Sequence, residues 1–245
     1  LASFPDLQRK AVRLVVYKGK DRVSSERVVT LNKGYATGFE YLMETIEMLL
    51  PRVERFESGK RVEDGLFSNL LIRELIANAL IHQDFTVHGA GPTVELFEDR
   101  VEVTNPGKSL TEPDRLIDLP PRSRNEKLAS VMRQLGYCEE LGTGWDKIAT
   151  ETERLYLPSP RVDVEDGFTR VVLYGPRELT KMDRDDQLRA VYMHACLLAS
   201  KGERVTNASL RARFGVSRGN SAQISRLLRD ATSGNLIVLY DESAG

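Results

Sequence analysis

In the segment RELIANALIHQDF, Arg73 to Phe85, three side chains able to hold an ion or move a proton recur four apart: Glu74, Asn78 and His82. In a helix that spacing stacks them on one face, a turn apart. Around them Leu70, Leu71, Ile72, Leu75, Ile76, Ala77, Ala79, Leu80 and Ile81 are apolar, so the polar stripe is narrow and the helix is expected to be buried nearly all round. A carboxylate, an amide and an imidazole buried without partners would each cost about 1 to 3 kcal/mol. Something polar is therefore expected opposite. A solvent face or an internal hydrogen-bond network would also satisfy the stripe, but the desolvation cost favours a ligand or metal. Asn78 offers a neutral oxygen suited to Mg²⁺, and Glu74 one turn earlier can hold or activate a water. Together they imply a metal-bound phosphate substrate. His82 either continues the site or is a packed, hydrogen-bonded histidine. Zinc is disfavoured, because the spacing is not HExxH and asparagine is a poor zinc ligand.

Two glycine-containing turns follow. Asn105-Pro106-Gly107 closes a strand-like stretch, and Gly142-Thr143-Gly144 opens a helical one. Glycines at a helix N-terminus let backbone N–H groups and the positive end of the dipole approach phosphate oxygens with no Cβ in the way. Glycine also simply starts and stops helices, so the order of the three elements carries more than any one alone. Arg122 and Arg124 suit phosphates or a solvated face. Trp145 reads as core. Cys138 has no evident base beside it and is not a nucleophile on this reading.

The elements that must position these residues read as an α+β mixture. Ala11 to Tyr17 and Arg27 to Leu31 are valine-rich strands between turns. Phe39, Leu42, Met43, Ile46, Leu49 and Leu50 recur at helical spacing, predicting a helix over Gly38 to Phe56 that Pro51 kinks or ends. PTVELFEDRVEVTNPG alternates as a half-buried hairpin does. Helices are expected over Asn125 to Leu135 and after the GTG turn, and a strand over Arg170 to Leu173. Strict βαβ alternation is missing, which argues for an α+β layer and against a doubly wound sheet.

Composition sets the outer limits. The 245 residues are 41% hydrophobic and 29% charged with a formal net charge of -1, so any nucleic-acid surface must be a local patch. Cys138 and Cys196 allow at most one disulfide, and a reduced, cytoplasmic setting is expected. No apolar run is long enough to span a membrane. The start at Leu1, almost directly on a strand-like run, suggests a fragment of a longer protein. The apolar pattern lapses over Pro176 to Asp186, where a boundary is expected between domains at 1–180 and 181–245.

Charge then changes. From Lys201 to Asp230 seven basic residues face two acidic ones, a local charge of +5 in a nearly neutral chain. Ser209 to Phe214 reads as a short helix, Gly215-Val216-Ser217 as a tight turn, and Arg218 to about Asp230 as a second helix capped by Ser217. GNLIVLYD reads as a following strand, completing a winged helix. That arrangement would turn Arg218, Asn220, Ser221, Gln223 and Arg226 toward double-stranded DNA, with side chains suited to base edges and phosphates. Protein contact or dimerisation is the competing use of the same fold.

Glu74, Asn78 and the surrounding NALIH resemble the N box of the gyrase, Hsp90, histidine-kinase and MutL (GHKL) ATPase superfamily. More closely, RELIANALIHQDF, DRVEVTNPG, SRNEKLASVMRQLG and EELGTGWDKI resemble a RecG-related family of prokaryotic transcription regulators. In that family a GHKL-like ATPase module usually follows a Schlafen/AlbA-like domain and precedes a helix-turn-helix. The resemblance spans roughly Val12 to Leu173. It implies a GHKL-like α/β sandwich that binds ATP and Mg²⁺, with Asn78 as metal ligand and Glu74 as base. It also implies that Asn105 and Gly107 stand in the adenine-reading box and Gly142, Thr143 and Gly144 in the glycine box. Three positions depart from the pattern. Asn105 stands for the aspartate, NPGKS lacks a second glycine, and SRNEK replaces SRNP.

The combined expectation is a cytoplasmic, ATP-binding and DNA-binding transcription regulator, with a homodimer as a candidate assembly and a GHKL-like site joined to a winged helix. Two alternatives stand beside it: an ATP-hydrolysing, RecG-related DNA-processing enzyme, and a degenerate ATPase fold acting as scaffold or dimerisation module. A helicase motor is disfavoured by the lack of any GxxxxGK[ST] loop.

Overall fold

The computed structural model describes residues 8–57, 60–120, 122–138 and 144–240. They divide into two compact units: one runs to Glu151 and includes Pro160–Gly175, the other comprises Thr152–Ser159 and the chain from Pro176 onward.

In the first unit, β1 (Val12–Tyr17) and β2 (Ser25–Leu31) form an antiparallel hairpin. Helix α1 (Phe39–Leu49) comes next and is shorter than its sequence periodicity suggests. Leu50 precedes Pro51 and is extended, with ψ 141°, because the proline ring excludes the helical conformation from the residue before it. Of the two outcomes expected at Pro51, a kink or an end, the helix ends, and Arg52–Glu57 is strand β3, paired with β4 (Lys60–Gly65). The polar-stripe helix is α2 (Asn69–His82), started by Ser68, whose hydroxyl accepts from the Leu71 amide at 3.3 Å. β5 (Thr93–Leu96) and β6 (Arg100–Pro106) are the anticipated hairpin, α3 (Glu126–Gln134) and α4 (Gly144–Arg154) the anticipated helices, and β7 (Arg161–Glu165) and β8 (Phe168–Tyr174) a further hairpin.

Six of these strands make one sheet in the order β2-β1-β5-β6-β8-β7. Only β1 and β5 are parallel neighbours in it. One face supplies Leu14, Val94, Leu96, Val101, Val103 and Leu173 to the core, and α2 lies against β6 on it. Leu71, Ile72, Leu75, Ile76 and Leu80 are each at most 1% exposed, so α2 is buried on most of its circumference as its composition requires. Alternation puts Glu95 and Glu102 on the opposite face. There Arg22 bonds Glu95 through Nε at 2.9 Å and Nη2 at 3.0 Å and also reaches Glu102, which in turn accepts from Arg100 at 2.7 Å. The mixed sheet with segregated helices is an α+β arrangement.

The second unit is built on α5 (Arg184–Ser200), α6 (Asn207–Phe214) and α7 (Ser221–Ser233). Val191, Leu210, Ile224, Leu227 and Ala231 form its core with Leu179 and Met182. Gly215 ends α6 at φ 64°, a left-handed position suited to glycine, and the Val216 amide closes the turn on the Arg211 carbonyl at 2.8 Å. Two sequence expectations change here. Ser217 makes no capping hydrogen bond, and Arg218–Asn220 is a single 3-10 turn, so the α-helix itself begins at Ser221. Residues 234–240 form no strand: among the described residues no neighbour offers them a ladder of hydrogen bonds, and Val238, Leu239 and Tyr240 stay exposed. No helix among the described residues is long and apolar enough to cross a membrane. Cys138 and Cys196 are both free thiols.

Candidate functional site

Glu74, Asn78 and His82 line a cavity of about 450 Å³ between α2, the strands β6 and β8, and the segment Lys108–Arg124. Glu74 is 5% exposed. Its Oε1 lies 3.7 Å from the Lys147 ammonium, an ion pair contributed by α4. The first residue of that helix, Gly144, fits against the stripe so closely that a Cβ there would stand 3.2 Å from both polar atoms of the Asn78 amide and 3.3 Å from Glu74 Oε2. Any larger residue there would make the Asn78 and Glu74 side chains give way by a few tenths of an ångström. Asn78 Nδ2 is buried and has no hydrogen-bond partner among the described residues. Gly142 and Thr143 lie outside the described residues.

At the other end of the cavity, Asn105 is 5% exposed and bonds its own neighbour, Nδ2 donating to the Pro106 carbonyl at 3.3 Å. Strand register sets Asn105 opposite Thr169 on β8, and Thr169 Oγ1 donates to the Gly107 carbonyl at 2.7 Å. Gly107 has φ 110°, and a Cβ would stand 2.8 Å from that of Asp84, so both conformation and space demand glycine. The turn is clasped to the end of α2. The Asp84 amide donates to the Pro106 carbonyl at 2.8 Å, and Arg124 bridges the Asp84 carboxylate and the Lys108 carbonyl, both at 2.6 Å. Asn125 Nδ2 donates to the carbonyls of Ile81 and Gln83 at 2.7 and 2.6 Å, satisfying acceptors that the end of α2 leaves open. Burial first, and then the Arg124 charge, hold the His82 imidazole below its ordinary pKa. Asp84 is held low mainly by hydrogen bonds from Thr86, with Arg124 assisting.

Residues 89–173 match the family described as "Putative ATP-dependent DNA helicase recG C-terminal". The match takes in Asn105, Gly107 and the GTG turn and begins after the α2 stripe. The chain thus carries a segment similar to the ATPase-type domain of RecG-related proteins, the domain class that suggests ATP binding. No curated protein matches. Among solved structures, the DIP2311 protein from Corynebacterium diphtheriae is similar over 93% of this chain and 48% of its own, with 17% identity and a TM-score of 0.64. That likeness concerns the fold alone, and this chain spans about half the length of that protein.

Within and beside the RecG-like segment, the sequence reading missed several residues. Arg124 lines the cavity while its guanidinium is held in the clasp, and Trp145 lines the cavity instead of filling the core. Lys147 escaped notice because its partner is on a distant helix. Thr169 was legible only once β8 was set in register with β6. Cys138 also lines the cavity, and burial pushes its thiol pKa up, which agrees with an unreactive reading.

In the second unit Arg218, Asn220 and Arg226 are exposed, with Ser221 and Gln223 half-buried. Asn207 Nδ2 donates to the Ser221 carbonyl and to Ser225 Oγ, both at 2.9 Å, fixing α6 to the start of α7. Deeper, Glu153 lies between His194 Nδ1 at 2.9 Å and Arg213 Nε at 3.3 Å, and Arg213 also donates to the Leu157 carbonyl at 2.7 Å.

Proposed function

We propose that the chain is an ATP-binding, DNA-binding transcription regulator whose first unit holds a Mg²⁺-nucleotide in the cavity beneath α2. The observation that carries this reading is the meeting of Gly144 with Asn78 and Glu74 in the wall of that cavity. The residues present fit such a ligand: a buried amide whose Nδ2 has no partner among the described residues, a carboxylate, and a helix whose first residue, Gly144, carries no Cβ. Asn78 would hold the metal through Oδ1, Gly142, Thr143 and Gly144 would line the phosphates, and Asn105 and Gly107 would face the adenine. Bound Mg²⁺ would neutralise phosphate charge. Glu74 would take a proton from an attacking water, with Lys147 keeping the carboxylate balanced in a buried wall.

The second unit contributes α7 and the 3-10 turn before it, with Arg218, Asn220, Ser221, Gln223 and Arg226 as the DNA-facing set of a helix-turn-helix. Nucleotide binding would bias how the DNA-binding part is presented. Calorimetry with ATP and Mg²⁺ on wild type and Asn78→Ala is the test. The variant is expected to fold and to bind far more weakly, whereas equal affinity, or no binding by wild type, removes the nucleotide site and promotes the scaffold. Turnover measured with and without DNA, on wild type and Glu74→Gln, separates a binding module from a hydrolase.

A further inference from the structure

Along α2, a rise of 1.5 Å per residue puts His82 about 6 Å beyond Asn78 and about 12 Å beyond Glu74. The Asp84 to Pro106 hydrogen bond brings that end of α2 to the end of β6, so His82 and Asn105 share one pole of the cavity. Glu74, Asn78 and Gly144 form the other. A nucleotide with its phosphates at Gly144 has its base at His82.

His82 is unused by the fold. Neither ring nitrogen bonds to any described residue, neither is fully buried, and the residue lines the cavity. Asn105 is oriented: Nδ2 is committed to the Pro106 carbonyl, which leaves Oδ1 as the free acceptor. A neutral imidazole adds one N–H donor and one lone pair.

We propose that His82 is a base-reading residue of the cavity, donating to a ring nitrogen of adenine while Asn105 Oδ1 accepts from the exocyclic amino group. The proposal rests on the nucleotide reading above and adds the residue that selects the base. Adenine offers a donor beside an acceptor along its edge. Guanine presents a carbonyl beside an N–H on the edge that carries N1 and a carbonyl beside a second acceptor on the edge that carries N7, so on either edge its carbonyl would face Asn105 Oδ1. Buried polar groups left mispaired in this way discriminate strongly.

The test is calorimetry with ATP, GTP, adenosine and inorganic tripolyphosphate on wild type, His82→Phe and His82→Asn. Either variant should bind ATP and adenosine about tenfold more weakly, the equivalent of one hydrogen bond. Tripolyphosphate binding should be unchanged and the preference for ATP over GTP reduced. Adenosines lacking N1, N3 or N7 in turn supply the matching deletion on the ligand. One of the three should lose affinity on wild type and lose no more on His82→Phe. Unchanged adenosine affinity in both variants, equal weakening of tripolyphosphate, or additive losses for all three analogues overturns the proposal. Wild type that binds tripolyphosphate but not adenosine also overturns it while leaving the phosphate pole standing; wild type that binds neither removes the nucleotide reading itself.

Discussion

Arg124 joins Asp84 at the end of α2 to the Lys108 carbonyl after β6, each contact 2.6 Å long, so one guanidinium sets the spacing between two walls of the cavity. Arg124→Met should cost about 1.5 to 3 kcal/mol, the range for hydrogen bonds to a charged group. Nucleotide affinity should fall with it. Arg124→Lys should recover little, because an ammonium cannot span both acceptors in one plane. Urea unfolding of the three proteins checks the order, and a lysine variant as stable as wild type would show that the clasp needs only charge.

Gly144→Ala should separate stability from function. Alanine favours a helix by about 1 kcal/mol over glycine. Its methyl, however, would crowd Asn78 and Glu74 at 3.2 to 3.3 Å. The variant should melt no earlier than wild type and bind nucleotide more weakly. Full binding by Gly144→Ala would mean that the close approach of α4 is incidental.

The Glu153, His194 and Arg213 cluster should dominate the stability of the second unit. The Arg213 side chain is 1% exposed, so Glu153→Gln strands a buried cation and should cost about 3 to 5 kcal/mol. Arg213→Met removes the charge along with its bonds and should cost less. Denaturation midpoints give the ranking, and the reverse order would show that the glutamate is not the keystone.

His82 makes stability fall on acidification. Its pKa in the fold lies below the unfolded value of about 6.5, so the folded state prefers the neutral ring. The stabilising contribution is whole above about pH 6.5 and is lost below it, until the folded imidazole itself takes a proton. His82→Phe should flatten the stability profile below about pH 6.5. Identical slopes in variant and wild type would place the acid sensitivity elsewhere.

On α7, Arg226→Ala should weaken DNA binding by about 1 to 3 kcal/mol and relax the preference at one position if it reads a base. If it meets phosphate, affinity should drop alike on every sequence and the salt slope shrink by about one. Arg204, whose guanidinium lies over the Tyr240 ring, should contribute only general attraction. Titrations at two salt concentrations distinguish these, and wild type with no salt-dependent binding would favour a protein-contact role.

Local patterns announced α2, the β5–β6 hairpin and the glycine turns, because each rests on residues adjacent in sequence. The lost end of α1 was legible too: Pro51 marked it, and the apolar spacing up to Leu50 simply ran into an alternating RVERFE. The β7–β8 hairpin was overlooked although Asp166-Gly167 signalled it, with φ 49° and 85° as a two-residue turn of that hand requires. Lys147, Arg124 and Thr169 were illegible for another reason. Their partners are distant along the chain, and spacing within one element says nothing about which element lies across from it. The strand-like GNLIVLY has the composition of a strand but no described partner, and propensity alone cannot supply one.

The parallel pairing of β1 with β5 also governs how the molecule can be made. Arg13 meets Thr93 and Val16 meets Leu96 only after α1, the β3–β4 hairpin and α2 have been synthesised. Such distant contacts carry the entropy of closing a long loop and form slowly. The β1–β2 hairpin therefore leaves the ribosome with one flank of β1 unpaired, and it waits for β5, the hairpin partner of the β6 strand that lines the cavity. Folding rate and site formation are set by the same late step, so variants that slow closure of this sheet should accumulate as aggregates during expression even when the finished protein is stable.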